Sequence, residues 1–273
     1  MTAFQKVIKY FAIALAVMII FSIASGAMGA LTIVSNIFSG DEVELQQTGS
    51  FLEGDIDTNV DTIDIEVNSV SVWIKSGDKF KFETNNESIK SKITKEKLTV
   101  TQKSLNFLDS DGNNSLIIYI PEDLKLQKLT VSSAAGNVFL DGISSEKVKL
   151  DLGAGELKIE GCKSTKETDI DTGMGKASIE GCSLRNLDLD IGMGKLSMTS
   201  YILGKSEINC GIGQTDITLK GKPETYSIHA EKGIGLLTVN GNSIADEGSY
   251  GDGENKLDVD AGIGNVKIEF YSI

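Results

Sequence analysis

Apolar and polar residues alternate along residues 150–220, and pairs of glycines interrupt the alternation at regular intervals. The segment LDLGAGELKIEGC is followed by three related segments, so the pattern recurs about every 19–20 residues. On both sides of each Gly-x-Gly corner every second side chain is apolar, which predicts short strands with one buried face, and hence two sheets. The glycine pairs are Gly153/Gly155, Gly173/Gly175, Gly192/Gly194 and Gly211/Gly213, with weaker copies at Gly233/Gly235 and Gly262/Gly264.

A fixed repeat of this length predicts stacked rungs, because a single unit has too little apolar surface to fold alone. Equivalent strands of successive rungs would pair in parallel, roughly 4.8 Å apart. The predicted fold class is therefore all-β, a parallel β-solenoid of about 19–20-residue rungs with Gly-x-Gly corners. We expect the residues between the glycines to cover the end of the core; these are Ala154, Met174, Met193 and Ile212.

An uncharged stretch from Tyr10 to Gly40 precedes the repeats. Its apolar part is long enough for a membrane-spanning helix, which takes roughly 20 residues. Lys6 and Lys9 lie before this stretch and acidic residues follow it, so the amino terminus is expected in the cytoplasm and the repeats outside. We predict a retained single-pass anchor in the cell membrane, with a cleaved signal peptide as the alternative.

These patterns divide the chain into segments. We expect residues 226–241 to form the fifth rung and residues 257–273 to close the array. The predicted segments are a cytoplasmic lead (1–9), a transmembrane helix (10–34), a juxtamembrane linker (35–61), irregular strands that cap the solenoid (62–123) and the regular solenoid (124–273), with an exposed loop at 242–256.

Charge narrows the range of partners. The net charge is −13, and an acidic surface of this kind argues against nucleic acid as a partner, because it repels phosphates. Arg185 is the only arginine and His229 the only histidine, which leaves few residues for phosphate clamps or imidazole chemistry. We expect no cofactor, and the pattern identifies no catalytic residue.

Outward carboxylates recur two positions before the corners, at Asp151, Asp171 and Asp190. Stacked rungs would bring these like charges close together, which is unfavourable unless they are solvated, neutralised or bound to a metal. Calcium takes oxygen ligands of this kind, so the three residues are weak candidates for a metal site. A solvated acidic face is the alternative.

Cys162 and Cys182 occupy the same place in adjacent repeats, at the end of two IEGC segments. Neighbouring rungs lie within the range of Cα separations that a disulfide can bridge. Cysteine also serves as a small buried apolar residue, so a bridge and two free thiols both remain open. Cys210 replaces an inward residue, and we expect it in the core.

Three features together carry a resemblance to a known family: the apolar amino-terminal segment, the passage SLIIYIPEDLKLQKLTVSSAAGNVFLDG (115–142) and the rungs of the LDLGAGELKIEGC type. Their combination resembles a bacterial family of adhesin-type proteins with β-strand repeats, a domain of unknown function common in Firmicutes. The resemblance implies a surface or envelope protein, and the family has no agreed catalytic residues to carry over to this chain.

The function expected from these observations is a membrane-anchored, extracytoplasmic β-solenoid without catalysis, acting as an adhesin-like or scaffold protein of the cell envelope. Its partner would be an envelope component or another protein, and self-association is a further expectation. One alternative is a self-associating structural solenoid of the bactofilin type. Another is a polysaccharide-acting solenoid enzyme that uses the aspartate columns as acid and base.

Overall fold

The computed structural model describes residues 41–42, 46–48, 51–56, 60–102 and 114–271. Regular structure in this part of the chain is β throughout, apart from one 3₁₀ turn at Pro223–Thr225. The predicted transmembrane helix (10–34) lies outside the described residues, and within them no helix is long and apolar enough to cross a bilayer. The all-β prediction is confirmed.

Among the described residues, nine short strands build the amino-terminal layers of the stack. They are β1 (Asp41–Glu42), β2 (Gln46–Thr48), β3 (Phe51–Asp55), β4 (Thr62–Ser69), β5 (Ser71–Gly77), β6 (Lys81–Thr84), β7 (Ile89–Thr94), β8 (Lys97–Gln102) and β9 (Ser115–Pro121). β8 and β9 lie parallel to β4 and β5 and form a rung beside theirs. β6 and β7 run antiparallel to β9 and β8. The segment expected to cap the solenoid is thus hydrogen-bonded into the same sheet as the repeats.

From residue 126 onward each rung is one long strand that bends at its glycine corner. The long strands are β10 (Leu126–Asp141), β11 (Ser144–Glu160), β12 (Lys163–Arg185), β13 (Leu187–Leu203), β14 (Lys205–Leu219), β15 (Tyr226–Val239) and β18 (Asn255–Phe270). Two short strands, β16 (Asn242–Ile244) and β17 (Glu247–Tyr250), lie between β15 and β18 in the chain. Leu150 pairs in parallel with Ile170, and Ile170 with Leu189, so equivalent residues are 20 and 19 positions apart. The predicted parallel repeat is confirmed, although one continuous sheet wraps the core where two were expected.

Alternation along each rung sets which side chains fill the core. In β11, Leu150 and Leu152 are buried before the corner, and Leu157 and Ile159 are buried after it. The residues between them, such as Lys158, remain partly exposed. Because a buried leucine or isoleucine contributes about 1.5–3 kcal/mol, the column of inward residues provides much of the stability of the stack.

The order of the last two rungs in space differs from their order in the chain. β18 pairs with β14 along its length, as in Ile208 with Val259. β15 pairs with the opposite edge of β18 and forms the final long rung of the stack. The expectation that residues 226–241 form the fifth rung, with residues 257–273 closing the array, was therefore wrong.

Lys232 gives a physical reason for this exchange. It occupies the inward position of β15 where β14 and β18 carry Cys210 and Ala261. On the last rung its Nζ lies 3.2 Å from Oδ1 of Asp246, which comes from the connection between β16 and β17. Between two other rungs the ammonium would be buried without that counter-charge, at a large cost in free energy.

The outer edge of β15 is covered by the segment expected to be an exposed loop (242–256). β16 pairs antiparallel with β15 at residues 237–239, and β17 pairs antiparallel with it at residues 228–231. Most side chains of the segment are exposed, as predicted, although two short strands form within it. Covering a terminal strand in this way protects the array from edge-to-edge pairing.

Engineered cysteine pairs should report the rung order directly. Asp216 pairs with Lys267, so the variant Asp216→Cys/Lys267→Cys should form a disulfide on mild oxidation of the purified chain. The matched variant Asp216→Cys/Thr238→Cys should not, because Thr238 lies one strand further away, opposite Lys267. Mass spectrometry of peptides from non-reduced protein measures both. A disulfide in the second variant alone would show that β15 lies directly beside β14, as in the order of the chain.

Candidate functional site

The second glycine of each pair makes the corner. Gly194 has a φ of +151°, and a Cβ at this position would lie 1.8 Å from the carbonyl oxygen of Gly175 on the rung below. Gly213 repeats the arrangement against Gly194. Since no side chain fits between the stacked backbones, the residue between the glycines is left on the outside of the bend.

These outer residues form a row of exposed apolar side chains, which we call the corner ridge. Their register is continuous from β12 through β13, β14 and β18 to β15. The ridge consists of Met174 (48% exposed), Met193 (38%), Ile212 (40%), Ile263 (38%) and Ile234 (53%), with Leu236 (64%) beside Ile234 on the last rung. At about 4.8 Å per rung the ridge is roughly 19 Å long.

The expectation that Ala154, Met174, Met193 and Ile212 cover the end of the core was wrong. Ala154 is half-buried and the other three are exposed. Thr172 and Ala177 both point inward. If the alternation of buried residues before the corner is continued from Thr172, residue 174 is predicted to point inward. If the alternation after the corner is continued backwards from Ala177, the same residue is predicted to point outward. The bend decides between them, and the glycines on either side were the signal for an outward residue.

Beside the corner ridge, on the face that precedes the corner, lie two columns of carboxylates, which we call the acidic band. Its register follows the paired strands from β11 to β15. The band consists of Asp151, Asp171, Asp190, Asp260 and Glu231 in the column nearer the ridge, and Asp169, Asp188, Glu207 and Asp258 in the next column. The structure thus brings the three candidate aspartates together, and the other outward carboxylates of the repeat pattern lie beside them in the same two columns.

Lys149 neutralises only one end of the acidic band. Its Nζ lies 2.6 Å from Asp169, 3.5 Å from Asp151 and 3.9 Å from Asp171. Burial nevertheless raises the pKa of the Asp171 carboxyl to about 7, with further contributions from Asp169, Asp151 and Asp190. Repulsion between stacked carboxylates and partial loss of solvent therefore outweigh the attraction of one lysine.

The same causes act further along the band. Burial raises the pKa of the Asp190 carboxyl, with added repulsion from Glu207 and Asp169 and an opposing hydrogen bond with Asn209. The Oδ1 atom of Asp190 is buried and finds no hydrogen-bond partner among the described residues. The band therefore holds unfavourable electrostatic energy, which an incoming positive charge would relieve.

The aspartate ladder should make stability depend on pH. The folded chain holds the Asp171 proton more tightly than the unfolded chain does, so protonation of this carboxyl stabilises the fold. This contribution to the free energy of unfolding is complete below about pH 4 and is lost as the pH rises through about 7. Asp171→Asn should therefore raise the free energy of unfolding at pH 8 by about 1 kcal/mol, after allowance for solvent screening of this partly exposed group. Urea denaturation at pH 5.5 and pH 8 measures the effect.

Asp216→Asn is the matched control for this experiment. Asp216 also points outward, but it accepts a hydrogen bond from Gln214 and lies 3.4 Å from Nζ of Lys195. Its replacement should bring no gain at pH 8, since it removes an attraction and not a repulsion. A loss of stability at pH 8 in Asp171→Asn would contradict the repulsive ladder.

The metal-ligand candidates Asp151, Asp171 and Asp190 stand opposite one another on three consecutive strands. In the part of the chain that the structure describes, no group of three or more His, Cys, Asp or Glu side chains is arranged to hold a metal ion. The three aspartates form a column instead of a cage. A calcium site at this column remains a prediction.

The three cysteines are buried free thiols in the structure. Cys162 and Cys182 lie next to each other, and a hydrogen bond between their thiols, with burial, raises the pKa of Cys162. Burial raises the pKa of the Cys210 thiol to about 11, and the residue lies in the core as predicted. A bridge between Cys162 and Cys182 remains a prediction, since their positions in the fold are compatible with both redox states.

Stacked parallel rungs with glycine corners define this chain as a β-solenoid protein. It belongs to the Toastrack family (DUF4097), whose model matches residues 42–269, and this confirms the resemblance to an adhesin-type domain of unknown function. The chain is similar to the crystal structure of a "putative cell adhesion protein" from Clostridium sporogenes, with 15% identity, coverage of 84% of this chain and 100% of that chain, and a TM-score of 0.38.

A second similar crystal structure is that of a "putative adhesin" from Bacteroides fragilis. Its identity is 10%, it covers 82% of this chain and 100% of that chain, and its TM-score is 0.30. No curated protein matches the chain significantly.

Proposed function

We propose that this chain is a membrane-anchored protein whose solenoid lies outside the cytoplasm and acts, without catalysis, as an adhesin-like or scaffold component of the cell envelope. The observation that carries the proposal is the corner ridge, whose side chains remain in solvent although most other apolar residues of the rungs are buried. Contiguous exposed apolar patches with polar borders mark interaction sites.

The amino-terminal sequence supports the location. The uncharged stretch Tyr10–Gly40, with Lys6 and Lys9 before it, favours an anchor with a cytoplasmic amino terminus. The partner is an envelope component or another protein, a second copy of this chain included, that accepts an apolar ridge with carboxylates along one side. Because the chain has a net charge of −13, polyanions such as nucleic acid are poor partners for it.

Protease treatment of intact cells tests the location. A blot against a carboxyl-terminal tag should show loss of the full-length chain when protease is added outside, with a cytoplasmic marker left intact. Protection of the chain until lysis would place the solenoid in the cytoplasm and overturn the proposed function.

A photo-crosslinking residue at Ile212, on the ridge, tests binding in the same cells. Irradiation should give discrete adducts larger than the chain, identified by mass spectrometry, whereas the same residue at Asp252, in the exposed β17–β18 connection, should give none. A folded, surface-located chain without adducts at Ile212 or Met193 would overturn the ridge as a binding surface.

Bactofilin-type polymerisation is a weaker candidate. It requires the terminal rungs to be open for strand pairing, and the outer edge of β15 is already paired with β16 and β17.

One observation favours a polysaccharide-acting enzyme. A carboxyl pKa of about 7 at Asp171, beside Asp190, suits a general acid at neutral pH. A polysaccharide-cleaving activity that is lost in Asp171→Asn or Asp190→Asn would replace the non-catalytic proposal.

A further inference from the structure

The two sides of the corner ridge carry opposite chemistry. On the same rung, Asp171 lies before Met174 and Lys176 lies after it, and the next rung repeats this with Asp190 and Lys195. The following two rungs carry amides in place of some charges. The five flanking pairs, in order along the stack, are Asp171/Lys176, Asp190/Lys195, Asn209/Gln214, Asp260/Asn265 and, on the last rung, Glu231/Leu236.

We propose that the corner ridge binds the corner ridge of a second copy of this chain, with the two solenoids running in the same direction about a two-fold axis parallel to the stack. This inference deepens the proposed function, because a shared membrane anchor would impose the common direction. A rotation about that axis keeps equivalent rungs of the two copies at the same height. It places the face that precedes the corner in one copy opposite the face that follows the corner in the other.

Charge complementarity selects this arrangement. Lys176 of one copy would face Asp171 of the other, and Lys195 would face Asp190. On the next two rungs, Gln214 would face Asn209 and Asn265 would face Asp260. A two-fold axis perpendicular to the stack would instead bring acidic band against acidic band, which is strongly repulsive. The parallel arrangement also keeps the two bands on opposite sides of the dimer, despite a net charge of −13 per chain.

The lysines are available for this exchange of partners. Lys176 is 54% exposed in its side chain and lies 3.0 Å from Glu156. Lys195 is 46% exposed and lies 3.4 Å from Asp216. Ion pairs as exposed as these contribute roughly 0–1 kcal/mol, so little is lost when the ammonium groups turn toward a second copy. The raised pKa values of Asp171 and Asp190 also favour the contact, since the lysines of a second copy would relieve the repulsion between these carboxylates.

The size of the ridge sets the expected strength. Six partly exposed apolar side chains offer much less than the about 800 Å² per partner that stable dimers bury in solution. We therefore expect a weak contact between free molecules. Two anchored copies in one membrane meet at a much higher effective concentration, which favours the dimer without new contacts.

Cysteine crosslinking of the full-length chain in native membranes tests the arrangement. In the parallel dimer every ridge residue faces its own copy, so Met193→Cys should crosslink to itself under copper–phenanthroline and give a band of twice the chain mass. In an antiparallel dimer Met193 would face Ile263 of the other copy, and only the central Ile212 would face itself. The wild-type chain, whose cysteines are buried, and Asp252→Cys in the exposed connection should give no dimer band.

Charge reversal tests the flanking pairs. Lys176→Asp with Lys195→Asp should reduce the Met193→Cys crosslink at least five-fold. Adding Asp171→Lys and Asp190→Lys to the same chain should restore it, which a merely misfolded variant would not show. A circular-dichroism melt of each purified variant checks that the solenoid is folded.

Three outcomes would overturn the inference: self-crosslinking at Ile212→Cys without Met193→Cys, adducts only with other proteins or lipid, or no effect of charge reversal. These results differ from failure of the proposed function. A solenoid protected from protease in intact cells, with Met193→Cys still crosslinked, would remove the extracytoplasmic role and leave the dimer.

Discussion

Replacing Gly194 by alanine should destabilise the fold by about 4 kcal/mol or more, one of the two largest effects expected in this chain. Gly194 has a φ of +151°, which L side chains rarely adopt, and the new Cβ would lie 1.8 Å from the carbonyl oxygen of Gly175. The atom in the way is backbone, so relief requires two hydrogen-bonded rungs to separate. Urea denaturation of the purified chain, followed by circular dichroism, measures the loss.

Gly161→Ala is the matched control within the same stack. Gly161 also has a positive φ, of +61°, but the nearest atoms to its added Cβ lie 3.9 Å away. Its replacement should cost only the conformational strain of about 1–2 kcal/mol. Equal losses in the two variants would show that backbone strain, and not the close approach of the rungs, requires glycine at the corner.

Ala261→Lys should be the other severe substitution, with an expected loss of about 3–5 kcal/mol in the free energy of unfolding. Ala261 is buried on β18, between Cys210 of β14 and Lys232 of β15. An ammonium group at this position would lie between two rungs, beside the like charge of Lys232. Thermal and urea unfolding both measure the loss.

Two controls separate charge from size and from position. Ala261→Met adds a side chain of similar length without charge and should cost about 1–3 kcal/mol through overpacking. Lys232→Ala removes the lysine that the terminal rung tolerates, and should change stability by no more than about 1 kcal/mol, because Asp246 is 74% exposed. A well-tolerated lysine at position 261 would contradict the interior placement of β18.

Local sequence patterns were sufficient to predict the strands and the corner of each rung. The glycine pair at Gly173/Gly175 and the alternation around Ile170 and Ile179 identified the corner and the inward residues, because both depend on interactions within one rung and its nearest neighbours. The parallel register followed from the repeat, since equivalent residues in a stack must lie opposite one another. Asp151, Asp171 and Asp190 fall into a column for the same reason.

The position of the last rungs could not be read from the repeat. β15 and β18 carry nearly the same pattern, so both match β14 in register. Which of them lies inside depends on where Lys232 meets Asp246 and on how the segment 242–256 returns across β15. These contacts involve the segment that interrupts the repeat, and the alternation within the rungs carries no information about them.

The sequence alone determined an all-β chain of stacked rungs with glycine corners, because backbone conformation at glycine and burial of every second side chain are local properties. Only the tertiary structure decided that Met174, Met193 and Ile212 lie outside the bend, that β18 inserts before β15, and that Lys149 forms its ion pairs at one end of the acidic band. The reason is that exposure at a corner and repulsion across rungs depend on how close the stacked backbones come, which no single repeat specifies.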